Sequence, residues 1–268
     1  MEHNATDSSY TLGHNHMSDW SPAEYKHILG YVSSGRNVEY TTLDTRDNAE
    51  SINWVELGAV TPVKNQASCG SCWAFSTTGS LEGAHFVATG ELVSFSEEQL
   101  VECNIGTGNM GCQGGLQSTA YEYYETGIDA MLEDKYPYTS GGGSSGDCKY
   151  DASEATNVTV SAYTNVTPSS VDQMKAGLTQ QPVAVAIQAN KLCFQFYKSG
   201  VMDKASCGTN LDHAVLAVGY GTEDGKDYWL VKNSWDTVWG DNGYIKLAIV
   251  DGDGICGVQM EPLFPKTN

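Results

Sequence analysis

Three regimes of apolar and polar positions succeed one another along the chain. Residues 1 to about 50 are polar and show no sustained period. Within them Ser21-Pro22-Ala23-Glu24 supplies an N-cap, a proline at N1 and a capping-box glutamate, which predicts a short helix to about Gly30. From Ser71 the chain turns apolar and helix-forming, predicting a helix over 71–89 that ends near Gly90. Ser96-Glu97-Glu98-Gln99-Leu100 starts a shorter helix ending near Cys103. From about Val158 the character changes. Val158–Tyr163, Pro182–Ile187, Ala214–Tyr220, Tyr228–Lys232 and Gly243–Leu247 are β-rich runs bounded by Gly, Pro and Asn. A helical half therefore precedes a β-rich half, which predicts an α+β chain with two lobes and a cleft between them.

Two glycine-rich stretches interrupt this pattern. Gly111-Cys112-Gln113-Gly114-Gly115 predicts a turn whose glycines allow positive φ and close approach to a ligand. Gly141–Gly146 predicts a flexible surface insertion before Cys148, with a domain linker as the alternative. No internal repeat is visible.

The charge balance narrows the partners. A net charge of −19 over 268 residues argues against nucleic acid and anionic membrane, which call for basic patches. No apolar run reaches the roughly 18 residues needed to span a bilayer. Residues 1–20 are polar and contain no signal-peptide core.

Candidate chemistry centres on Cys72. The predicted helix places it in the first turn, where unpaired N–H groups and the macrodipole favour a thiolate, the nucleophilic form. Two alternatives attach to Cys69-x-x-Cys72: half of a zinc site, or a redox pair. No second Cys-x-x-Cys follows, and no βαβ pattern surrounds the motif. A thiolate nucleophile needs a base that also protonates the leaving group, and histidine suits both tasks. Past residue 50 only His85 and His213 remain. His85 lies 13 residues along the same helix, roughly 20 Å from the thiol, so the base is His213 and His85 is a helix-surface or packing residue. Of the eight cysteines, setting Cys72 aside leaves seven: three disulfides and one free thiol, which implies an oxidising compartment. The sequence alone leaves the pairing open. Asn4-Ala-Thr, Asn157-Val-Thr and Asn165-Val-Thr are glycosylation sequons.

Gln66, Cys69-Gly70-Ser71-Cys72-Trp73, Leu211-Asp212-His213-Ala214 and Lys232-Asn233-Ser234-Trp235 together resemble the papain-like cysteine peptidases. Gly13-His14-Asn15-His16-Met17-Ser18-Asp19 resembles the G-x-N-x-F-x-D stretch of cathepsin L-type prosegments, with Met17 where Phe is usual. The resemblance runs from about Gly13 to Pro265. It implies a papain-like two-lobed fold with a helical left lobe and a β-barrel-like right lobe. Residues 1–50 would be a partial inhibitory prosegment, truncated before its usual long helix and lying across the cleft in reverse polarity. Residues 51–157 would form the helical lobe and 158–268 the β-rich lobe, with the mature chain starting between about Asp47 and Ser51.

By the same resemblance Asn233 orients His213, Trp235 covers that bond, and Gln66 with the Cys72 N–H forms the oxyanion hole. Asp236 stands where the family has Gly, and a local shift without loss of activity is expected, because Asp tolerates unusual φ. The implied disulfides are Cys69–Cys112, Cys103–Cys148 and Cys207–Cys256, leaving Cys193 free. Gly114 and Gly115 would bind an extended peptide, with Asp212 also in the cleft. Leu116, Gln117, Ala186, Leu211 and Ala214 would line the second specificity pocket. Glu261 would be its floor, accepting Arg beside Leu or Phe, or would point to solvent. No insertion resembles the occluding loop of cathepsin B-type exopeptidases. The implied activity is a cysteine endopeptidase made as a zymogen. It needs no cofactor or metal and acts on polypeptides as a monomer, with cystatin-type inhibitors as a further partner class. The implied location is lysosomal, vacuolar or secreted. Two other readings use the same residues: a transpeptidase or ligase, and an inactive binding module.

Overall fold

The computed structural model describes residues 8–33, 35, 38–106, 108–204 and 207–268; the sequon at Asn4 lies outside them. The elements are β1 (Tyr10–Leu12), α1 (Pro22–His27), β2 (Ile52–Asn53), α2 (Cys72–Thr89), α3 (Glu97–Cys103), α4 (Gln117–Glu125), β3 (Val160–Asn165), α5 (Val171–Gln180), β4 (Val183–Ile187), α6 (Leu192–Gln195), β5 (Tyr197–Met202), β6 (His213–Glu223), β7 (Lys226–Lys232), β8 (Tyr244–Ala248) and β9 (Leu263–Thr267).

The nine strands form one sheet ordered β1-β5-β8-β7-β6-β4-β9-β3, with β2 also on β6. All pairings are antiparallel except β5 with β8. β6 is the axis: Ala186 pairs with Ala214 and Ile187 with His213 on one side, and Leu216 with Lys232 on the other. Because β6 and β7 run antiparallel, the first residue of β6 and the residue just past β7 share one end of the sheet. Those residues are His213 and Asn233.

One core cluster fills the β half around Trp229, Trp235, Trp239 and Phe194. A second joins α2, α3 and α4 through Trp73, Leu81, Leu100, Tyr121 and Tyr124, and reaches Ala184, Ala186 and Ala214 across the seam. Residues 72–84 of α2 are buried on every face, so the helix has no polar side to present and lies between the two halves. The mixed helix and sheet content is that of an α+β two-lobed fold.

Local chemistry explains the helix ends. Ser21 and Glu24 close a capping box on α1. Ser96 Oγ accepts the Gln99 N–H at 3.0 Å at the start of α3. Gly90 ends α2 with φ 80°, in the left-handed region. Ser71 occupies the N-cap position of α2, but its hydroxyl pairs with Tyr138 Oη at 2.8 Å instead of capping. α1 stops at His27, short of the expected Gly30, because residues 28–32 extend along the neighbouring cleft.

The Gly141–Gly146 stretch is tied down at both ends. The Ser68 N–H donates to the Gly141 carbonyl at 3.0 Å, and the Gly146 N–H to Glu102 Oε1 at 2.9 Å. Disulfides join Cys69 to Cys112, Cys103 to Cys148 and Cys207 to Cys256, leaving Cys72 and Cys193 as thiols. With Cys69 bonded to Cys112, it is not available as a zinc ligand or redox partner for Cys72. Asn157 is exposed, whereas Asn165 donates from its amide to the Glu39 carbonyl.

Candidate active site

Cys72 is the first residue of α2, where the helix leaves its N–H groups unpaired and its dipole positive. Its Sγ accepts the N–H of Ala214 at 3.4 Å. Ala214 follows His213, so the helix tip of one half meets the start of β6 in the other. The imidazole Nε2 lies 2.8 Å from Asn233 Oδ1, and that oxygen also accepts the Ser234 N–H at 2.8 Å. With Nε2 donating its proton to the amide, Nδ1 is left as the free ring nitrogen, and it has no hydrogen-bond partner. Trp235 stacks on the ring at 4.6 Å between centroids and 27° between planes.

Gln66 is fixed from behind. Its Oε1 accepts Ser234 Oγ at 2.7 Å and Trp235 Nε1 at 3.2 Å. That orientation aims the amide donor forward, where Nε2 donates to the Cys69 carbonyl at 2.7 Å and the Ile28 carbonyl at 2.9 Å. Ser234 was not singled out from the sequence; its place between Asn233 and Trp235 was the available signal.

The cleft over these groups is filled by residues 28–32. The Gly115 N–H donates to the Gly30 carbonyl at 2.8 Å, and the Val32 N–H to the Gly115 carbonyl at 3.3 Å. The bridge between Tyr31 and Gly115 is parallel. The Tyr31 N–H donates to the Asp212 carbonyl at 3.1 Å. A Cβ at position 30 would fall 1.8 Å from the Gly70 carbonyl oxygen, so only glycine lets the strand pass this close to the thiol. Gly114 does not pair with this segment: its N–H donates to Gly111 and its carbonyl accepts Met110, closing the turn at φ 116°.

Leu116, Ala186 and Ala214 are buried in the same cluster as Tyr31 and Cys72, with Leu211 at its edge. Gln117 sits behind this wall, its amide donating to Ser76 Oγ and the Val185 carbonyl. Glu261 is half-buried and faces the cleft, where its carboxylate accepts the Tyr31 hydroxyl. His85, by contrast, lies near the C-terminal end of α2 and packs edge-on against Phe95. Asp236 takes φ 64°, the left-handed region its glycine-like position calls for, and its Oδ1 accepts the Thr237 N–H.

Burial sets the protonation of the pair. It pushes the Cys72 thiol up to about 11, against the N–H groups of Ala214, Gly30 and Trp73, which favour the thiolate. It pushes His213 down to about 4, only partly offset by Asn233. With residues 28–32 in place both groups are therefore neutral across the physiological range. Desolvation likewise raises the Asp212 carboxyl to about 6.

Comparison with known proteins agrees with this geometry. The sequence profile of the papain family cysteine proteases matches residues 48–266. The chain is 42% identical to cysteine proteinase RD21A of Arabidopsis thaliana over 277 residues, which is 100% of this chain and 58% of that protein. It is 43% identical to digestive cysteine proteinase 2 of Homarus americanus, covering 96% of this chain and 80% of that protein. Among solved structures, the proform of the ragweed pollen cysteine protease Amb a 11 superposes with a TM-score of 0.88 at 35% identity, over 100% of this chain and 84% of that one. Digestive procathepsin L 3 of Tenebrio molitor also gives 0.88, at 34% identity over 98% and 86%. The chain thus spans little more than half of its Arabidopsis relative and most of the others. Helix-tip cysteine, histidine at the sheet end and a matching profile over most of the length lead to one assignment: the chain belongs to the papain family of cysteine proteases.

Proposed function

We propose that this chain is the zymogen of a cysteine endopeptidase, with Cys72 as nucleophile and His213 as acid and base. One observation carries the reading: the sulfur at the tip of α2 accepts the N–H of Ala214, the residue that follows His213, whose imidazole is held by Asn233. Once the cleft is open, His213 Nδ1 takes the thiol proton, giving a thiolate–imidazolium pair. The thiolate adds to the substrate carbonyl carbon. The oxyanion that forms accepts hydrogen bonds from Gln66 Nε2 and the Cys72 N–H. The imidazolium gives its proton to the leaving amine as the C–N bond breaks, leaving a thioester. Water, deprotonated by His213, adds to the thioester; the C–S bond breaks and the acid departs, returning the proton to the pair.

Residues 1–50 serve as the inhibitory prosegment, 51–157 as the helical lobe and 158–268 as the β-rich lobe. Two observations support the inhibitory role: the Ile28 carbonyl on the Gln66 donor, and a parallel bridge to Gly115, opposite in sense to a strand that would present its carbonyl productively. Gly115 and Asp212 offer backbone groups to a peptide, and Leu116, Ala186, Leu211 and Ala214 form the P2 pocket with Glu261 at its floor. A P2 preference for Leu or Phe with acceptance of Arg follows from an acid in an apolar pocket. Polypeptides are the substrates and cystatin-type proteins the external inhibitors, and the active form is a monomer. Three disulfides favour an oxidising location, lysosomal, vacuolar or secreted.

The test is peptide hydrolysis before and after acid treatment, with intact mass and trapping of Cys72 by an epoxysuccinyl inhibitor. Latent chain that gains activity with loss of about 5 kDa, the share of 50 residues in a 28.8 kDa chain of 268, is expected. Failure of the trapped, processed chain to carry one inhibitor per Cys72 refutes the proposal. Product analysis with an added amine separates hydrolysis from transpeptidation.

A further inference from the structure

The occupant of the P2 pocket in this structure is the chain's own Tyr31. The ring is nearly buried, packed in one cluster with Leu116, Ala186, Ala214 and Leu263. Its hydroxyl donates to the Glu261 carboxylate. A phenol buried in apolar surroundings needs an acceptor for its O–H, and the wall residues named here have none in their side chains. Glu261 supplies the acceptor. The contact works in both directions, because a half-buried carboxylate facing an unsubstituted ring would lose part of its water and gain no donor.

We infer that the pocket floored by Glu261 selects tyrosine over phenylalanine at P2, and that Tyr31 holds the N-terminal segment shut through the same hydrogen bond. This deepens the proposed peptidase reading and rests on it for the substrate half alone. The neighbouring backbone bonds, Tyr31 to Asp212 and Val32 to Gly115, set the segment's path without regard to side chain. The hydroxyl is what distinguishes Tyr31 from any other aromatic residue on that path. A site that hydrogen-bonds a substrate hydroxyl discriminates against the analogue that lacks it more strongly than an apolar site rejects a change of size. Burial and the Glu261 charge both push the Tyr31 phenol up, so it stays protonated as the donor. The same carboxylate can also meet a guanidinium, so acceptance of P2 arginine and selection of P2 tyrosine share one cause.

Two measurements test this. The processed enzyme is assayed on matched fluorogenic peptides with P2 Tyr, Phe or Leu. A Tyr/Phe ratio of kcat/KM near ten is expected, the worth of one charge-assisted hydrogen bond to a half-exposed acceptor. In Glu261→Leu the ratio should fall to about one. A wild-type ratio at or below one, or a ratio that Glu261→Leu leaves unchanged, overturns the inference. In the full-length chain, the rate of iodoacetamide labelling at Cys72, read by peptide mass, reports opening of the segment. Tyr31→Phe should speed labelling about tenfold in the wild-type background and leave Glu261→Leu unaffected. Equal acceleration in both backgrounds shows no coupling and overturns the inference. The labelling arm needs no turnover. If no peptide is hydrolysed but the coupling is seen, the peptidase reading fails and the Tyr31–Glu261 lock stands.

Discussion

Two polar constellations lie under the surface of this protein, side by side, and they are treated oppositely. One is the pair Cys72 and His213. The other is a charged seam of Lys64, Glu82, Glu97 and Lys232. In the seam Lys64 Nζ donates to Glu97 Oε1 at 2.6 Å, to the Phe95 carbonyl at 3.1 Å and to Glu82 Oε1 at 3.2 Å. Glu82 also accepts Thr61 Oγ1 at 2.7 Å and the Phe95 N–H at 3.0 Å. Lys232 Nζ reaches the Thr61 carbonyl at 2.7 Å. Burial pushes Lys64 down, yet Glu82 and Glu97 more than offset it, so its ammonium ends above its ordinary value. Lys232, without so close a carboxylate, is pushed by burial down to about 8. Cys72 and His213 have no opposite charge to offset burial: the thiol meets only backbone N–H groups and the imidazole only the Asn233 amide, with His213 Nδ1 unpartnered. The difference teaches that burial alone discharges a group, and that permanent partners keep it charged. The seam is paired by parts of the fold that stay. Cys72 and His213 have only amide partners, under residues 28–32, which the proposed activation would remove.

The largest effect expected from breaking this contrast is on the catalytic side. His213→Ala in the processed enzyme should cost about 10²–10⁴ in kcat/KM, read with a fluorogenic peptide. On the seam side Glu82→Ala strips Lys64, Thr61 and Phe95 of an acceptor at once. It should destabilise by about 3–5 kcal/mol, measured as a lower urea midpoint at unchanged slope. Acid sharpens the contrast. The covered His213 titrates near 4 instead of 6.5, so the open form binds more protons between those values and the closed form loses stability as pH falls through them. Up to about 3 kcal/mol of closure is at stake, and the protection factors of the Tyr31 and Gly115 amides, exchange rates corrected for the intrinsic pH dependence, should fall accordingly between pH 7 and 4.5. The thiol acts at the other end: burial pushes it up to about 11, so closure weakens once pH rises past the 9.0 of an uncovered thiol. The smallest effect is that of Asn233→Ala, which removes one hydrogen bond to the imidazole. A fall of about tenfold in kcat/KM is expected, with a small change in stability.

The sequence made legible what is periodic or chemically exclusive. α2 and the five β-rich runs follow from apolar spacing, and His213 follows because His85 is too far along its own helix. α4 escaped because its sequence, Gln117–Glu125, is mostly polar and its buried face is tyrosine. β1, β2 and β9 are short strands whose pairing partners lie far off in the chain, and no local pattern announces them. The expected cap at Ser71 missed because Tyr138, 67 residues away, competes for the hydroxyl. The anchoring of Gly141–Gly146 at both ends by Ser68 and Glu102 is equally invisible locally, because those partners lie far off in the chain. At the site, residue types could be matched one by one, but Gln66 is aimed by Ser234 and Trp235, and only folding brings those three together.

The disulfides have a consequence of their own. Two of them lie among residues 69–148 and the third between 207 and 256, so no covalent strap crosses the groove. The halves are clasped there by weaker links, such as Ser76 Oγ on the Val215 carbonyl. Each bridge thus restrains the unfolded chain within one half only, closing loops of 43, 45 and 49 residues, while the seam is held by the shared apolar cluster and hydrogen bonds.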